Sequence, residues 1–139
     1  MKYGSLILEK KEYVYLKRLL NLSGYEGDQG TQKCLTNLTE ELKTAHIVDE
    51  EDMPQDIIRF NSLVTVAFDN GVEKTVQLVI PIDRDLKTNK ISILTPMGSA
   101  LIGYSQDDSI DWDFPNGKHK IKILEVRQKI NLRGIDLVL

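Results

Sequence analysis

The stretch TPMGSALIG, Thr95 to Gly103, sets two glycines and a serine among apolar residues, a composition that suits a phosphate-binding loop. Gly98 and Gly103 have the separation such a loop needs, but Tyr104-Ser105 follows where Lys and Ser or Thr would have to stand. Without that lysine nothing reaches a β- or γ-phosphate. The residues fit a short capped helix instead, with Thr95 as N-cap, Pro96 at the first helical position, Met97, Leu101 and Ile102 turned to a sheet, and Gly103 as the stop.

Other reactive side chains are sparse. Ser99 and Ser105 have only His46 and His119 as possible activators, and no strand-turn-helix elbow surrounds either serine. His119 lies in a Lys-His-Lys alternation that reads as solvent-facing, and His46 is expected at the end of a helix, where the dipole favours an imidazole. Asp49, Glu50, Glu51, Asp52 and Asp56 form a dense acidic group that reads as a hydrated surface suited to a partner's basic patch. Asp107, Asp108, Asp111 and Asp113 flank Trp112, the last two as the outer face of a strand, and imply no catalytic pair. Glu26 and Asp28 fall in the glycine-rich turn SGYEGDQG; two such carboxylates can share a hard cation, although a polar turn chosen for solubility is the better reading.

The elements that must position these residues follow from periodicity. EKKEYVYLKRLLNL, Glu9 to Leu22, puts Tyr13, Leu16 and Leu20 on one helical stripe, and TQKCLTNLTEELKTAHIV, Thr31 to Val48, does the same with Leu35, Leu38, Leu42 and Ala45. The turn between them predicts an antiparallel helical hairpin with arms of roughly 20 Å, a coiled-coil stub. VDEEDMPQDII then reads as a linker, because Pro54 pushes Met53 out of the helical region. From Asn61 the period becomes two. Val64, Val66 and Phe68 alternate up to an Asp69-Asn70-Gly71 turn, and Val76, Leu78 and Ile80 return from it. KISIL predicts another strand. IDWDF and KHKIKILEV pair across Pro115-Asn116-Gly117, and residues 128–139 read as an extra strand or a docking tail. The order is α+β: a helical hairpin at 1–48, a linker at 49–60 and a largely antiparallel sheet domain with one short helix at 61–139.

Composition narrows the function classes. The chain has 139 residues, 41% hydrophobic, with net charge −3 and no long block of one sign, which disfavours direct sequence-specific nucleic-acid binding. Cys34 is the only cysteine, so no intramolecular disulfide or thiolate-rich metal site can form. No apolar run approaches a membrane span, and the start lacks a secretory pattern, so a cytoplasmic protein is expected.

The run KISILTPMGSALIGYSQDDSIDWDFPNGKHKIKILEV, Lys90 to Val126, resembles the C-terminal domain of the bacterial Gre transcript-cleavage factors. Taken with EEDMPQDIIRFNSLV and a short N-terminal hairpin, the chain is similar to the Rnk group of that GreA/GreB family, regulators of nucleoside diphosphate kinase. The resemblance implies an FKBP-like sheet domain that docks on the rim of the RNA polymerase secondary channel while a coiled coil points into it. Gre factors carry Ser, Asp and Pro at alternate positions of the docking segment. Here Ser92 and Pro96 match and Leu94 replaces the acid, so Ser92, Leu94, Thr95 and Pro96 are the expected contact. Acids at the tip of the long Gre hairpin bring Mg²⁺ to the polymerase centre; here Glu26 and Asp28 sit at the tip of short arms. The expectation is a monomeric, non-enzymatic regulator that docks without cleavage, needs no cofactor or metal, and competes with longer factors. The alternatives are an active cleavage factor using Glu26 and Asp28, and an FKBP-like prolyl isomerase or unrelated interaction module.

Overall fold

The computed structural model describes residues 2–23, 29–114 and 117–128. The chain enters through strand β1 (Ile7–Glu9) and passes directly into helix α1 (Lys10–Ser23). Glu9 starts this helix: its carboxylate accepts the backbone N–H groups of Lys11 and Glu12 at 2.9 and 3.2 Å, filling two donors that a helix start leaves open. Helix α2 (Gln29–Leu42) follows, burying Cys34, Leu35, Leu38 and Leu42 along one stripe.

The second helix ends earlier than its sequence pattern suggests. His46 to Val48 forms strand β2, which pairs in parallel with β1, so His46 is a strand residue and not the helix end expected for it. The reason is tertiary: His46 N–H donates to Leu6 O at 2.8 Å, and the β1 backbone offers partners that a further helical turn would forgo. Three-residue strands carry too little periodicity to appear in sequence.

Residues 49–60 contain a 3-10 turn (Glu50–Asp52) and bury Met53, Ile57, Ile58 and Phe60. The main sheet has the order β5-β4-β3-β7-β6, with β3 (Leu63–Phe68), β4 (Glu73–Val79), β5 (Lys90–Ser92), β6 (Ser109–Phe114) and β7 (Gly117–Arg127). Both hairpins predicted from the sequence are present. In the first, Gly71 takes the left-handed φ of +85° that closes its turn. The sheet is mixed, however: β5 runs parallel to β4, because the connection between them crosses the sheet end instead of turning back.

Helix α3 (Pro96–Leu101) follows β5 and lies against α2, which also touches β6. One apolar core joins Leu16, Leu20, Leu35 and Leu38 of the helices to Val64, Val66, Leu78, Leu101, Ile121 and Ile123. Tyr15 meets Phe60 edge-on, ring centroids 5.8 Å apart, so the two N-terminal helices share the sheet's core. Among the described residues no helix is long and apolar enough to cross a membrane.

Candidate partner-docking site

The corner between β5 and α3 is built by hydroxyls and backbone amides. Ser92 ends β5; its Oγ accepts the Leu94 N–H at 3.0 Å, and its carbonyl accepts both the Thr95 N–H and the Thr95 hydroxyl, at 3.1 and 2.6 Å. Thr95 caps α3 as its sequence suggests, accepting the Gly98 N–H at 3.0 Å, and Pro96 occupies the first turn, where its missing N–H costs nothing. Ser99 donates its hydroxyl to Pro96 O at 2.9 Å. Gly98 lets the helix press on the strand: a Cβ there would lie 2.2 Å from Ser92 O. Gly103 ends the helix region with φ +84° and faces Leu6.

Of the four expected contact residues, Ser92 is only 4% exposed and its oxygen atoms are engaged inside the corner. Leu94, Thr95 and Pro96 are half-buried and form the accessible part, with Met97 beside them. From Ile91 to Gly103 the chain carries no ionisable side chain. The corner therefore has no acid, base or activated nucleophile of its own; it offers a rigid, neutral surface. Ser105 is likewise committed, donating its hydroxyl to Asp108 at 2.9 Å.

Glu26 and Asp28 lie outside the described residues, as do Pro115, Asn116 and residues 129–139. Among the described residues no group of three or more His, Cys, Asp or Glu side chains is arranged to hold a metal ion.

The acidic group near residue 50 divides. Glu50 grips Arg59 with both oxygens, each at 2.7 Å, while Arg59 Nε donates to Glu12 at 2.9 Å. This links α1, the 3-10 turn and the entry to the sheet. Burial pushes the Glu12 carboxyl up to about 7 against the opposing pull of Arg59, whose own pKa rises through its bonds to Glu50. Asp56 instead receives the Lys2 ammonium and the Tyr3 hydroxyl, and these bonds outweigh its burial and lower its pKa. Asp108, one of the acids flanking Trp112, is buried, accepting from Lys2 N, Ser105 N and Ser105 Oγ. Sequence reasoning could not pair Arg59 with Glu12, since 47 positions separate them.

The fold and this neutral corner define an α+β protein in which two helices precede a mixed five-stranded sheet carrying one short helix. A family model described as "Transcription elongation factor, GreA/GreB, C-term" matches residues 53–128. The GreA elongation factor of Clostridium kluyveri is 36% identical over 95 residues, 68% of this chain and 60% of that protein. That of Clostridium botulinum is 41% identical over 90 residues, 63% of this chain and 55% of that protein. The chain thus spans somewhat more than half the length of these relatives. A prokaryotic transcription elongation factor GreA/GreB from Nitrosomonas europaea, known as a solved structure, superposes with a TM-score of 0.70 at 32% identity, covering 89% of this chain and 98% of that one. This chain belongs to the GreA/GreB family of transcription elongation factors.

Proposed function

We propose that the chain is a cytoplasmic transcription regulator that binds RNA polymerase at the rim of the secondary channel, does not stimulate transcript cleavage, and competes there with longer Gre-type factors. Within the family we assign it to the Rnk group, on the short hairpin and the EEDMPQDIIRFNSLV segment. Leu94, Thr95 and Pro96 make the contact, and Ser92 shapes it from beneath.

The observation that carries this reading is the pairing of β1 with β2. These strands flank the two helices and hold their bases together, so the reach of the hairpin is set by helices of 14 residues each, about 21 Å. Catalytic groups must be placed within a fraction of an ångström, so a tip that stops short cannot deliver a metal to a distant active centre whatever residues it carries. The second reading, a cleavage factor using Glu26 and Asp28 with Mg²⁺, is favoured by relatives that bear the GreA name. Purified polymerase should retain the wild-type chain in a pull-down, and Leu94→Lys and Pro96→Ala should weaken that retention. Unchanged binding by both variants would remove the corner from the interface.

A further inference from the structure

Helices α1 and α2 leave a gap in the groove between them. Tyr13, Lys17 and Leu20 of α1, with Thr39 and Leu42 of α2 and Lys43 just beyond it, line an open cavity of about 100 Å³ whose walls are almost wholly apolar. Leu20 and Leu42 are buried and make its floor, while Tyr13 and Thr39 are half-buried at its sides. The Thr39 hydroxyl is turned back on its own helix, donating to Leu35 O at 3.0 Å.

Ammonium groups stand at the rim. Lys17 Nζ lies 5.5 Å from the centre of the Tyr13 ring, and Lys43 meets Glu40 at 3.1 Å in a bridge so exposed that it contributes little. The same two helices expose Lys10, Lys11, Arg18 and Lys33, whereas Glu40 is their only exposed acid: Glu12 is buried, and Glu41 is half-buried against the Tyr104 hydroxyl. On a chain of net charge −3 this is a local basic surface around an apolar groove. The volume decides what can enter. It is far below the roughly 300 Å³ at which small-molecule and cofactor sites begin. It suits about one aliphatic side chain, given that a cavity of roughly 150 Å³ takes up one benzene.

We propose that this groove binds an acidic protein segment, with one leucine-sized side chain entering over Leu20 and Leu42 and flanking carboxylates meeting Lys17 and Lys43. The apolar anchor supplies affinity, and the charges supply orientation and encounter rate. A nucleic acid would use the ammonium groups and leave the apolar floor unfilled; a neutral peptide would do the reverse. No residue of the β5–α3 corner lines the groove, so this contact is separate from the one proposed for polymerase.

Fluorescence anisotropy with the full chain and a labelled peptide, Glu-Asp-Glu-Leu-Glu-Asp-Glu, tests the proposal. The wild type should bind it about tenfold more tightly than the same peptide with glycine for leucine, since only the anchor is lost. Thr39→Leu fills the groove, keeps every charge and should abolish that preference. Lys17→Glu with Lys43→Glu should weaken binding of the leucine peptide by about tenfold. Thermal melts establish that both variants are folded, and the peptide pair tests the unaltered chain. Equal affinity of the wild type for the two peptides, which would mark a surface that reads charge alone, would overturn the proposal. So would no binding of the leucine peptide, or an undiminished preference in folded Thr39→Leu. None of these results bears on retention by polymerase.

Discussion

At the corner between β5 and α3, hydroxyls and backbone amides hold the chain, whereas at the base of α1 a guanidinium sits between two carboxylates. Both regions position one part of the molecule against another, yet they respond to solution conditions differently. Neutral hydrogen bonds leave the corner's shape indifferent to pH across the range where proteins fold. The Arg59 junction contains Glu12, a buried carboxyl whose proton is lost near neutrality. The corner and the anchor of the helices are thus separable by chemistry, and substitutions can probe each alone.

The largest effect is expected at Arg59. Its replacement by methionine leaves Glu12 buried without its partner, a loss of roughly 3–5 kcal/mol when the carboxyl is charged. Urea unfolding should show that full loss at pH 8 and a smaller one at pH 5.5, where Glu12 holds a proton. Equal losses at both pH values would mean that the charge of Glu12 is not what Arg59 compensates.

Next comes Gly98→Ala. With a Cβ that meets Ser92 O at 2.2 Å, α3 has to move off β5, and destabilisation of about 1–3 kcal/mol follows from such overpacking. Its size should not vary with pH, in contrast to Arg59. Thr95→Ala removes the cap of the same helix and should cost ~1 kcal/mol, again without pH dependence. A pH-dependent loss in either variant would erase the contrast between the two regions.

The smallest change is expected for Glu12→Gln. Since the folded carboxyl titrates near 7 and its ordinary value is 4.5, the folded chain holds a proton that the unfolded chain has released between those pH values. The stabilisation this supplies is complete below pH 4.5 and disappears as pH rises through about 7. Glutamine mimics the protonated form, so the variant should show a flatter stability profile from pH 5 to 8, read from thermal melts, with Glu50 still holding Arg59. A profile as steep as the wild type would assign the dependence to another group.

The corner was largely legible in sequence because its rules are local. Thr-Pro at a helix start and Gly at its end declare themselves within nine residues, and alternation with Asp-Asn-Gly declares the first hairpin. The junction was not legible because Glu12, Glu50 and Arg59 meet only after α1 has packed beside Phe60. For the same reason the helical periodicity around His46 misleads: only the return of the chain to Leu6 and Ile7 makes it a strand. The parallel entry of β5 depends on how the 81–89 connection crosses the sheet end, and no periodicity encodes that. Burial of Asp108 escaped prediction because its partners include the backbone of Lys2, 106 positions away.

Docking without cleavage can be read from a stalled elongation complex. Cleavage of the nascent RNA should be followed with polymerase alone, with a Gre-type factor, with this chain, and with both factors together. This chain should leave cleavage at the polymerase's intrinsic level and lower the Gre-stimulated rate as its concentration rises. Stimulated cleavage by the chain itself, lost in Glu26→Ala or Asp28→Ala, would contradict it.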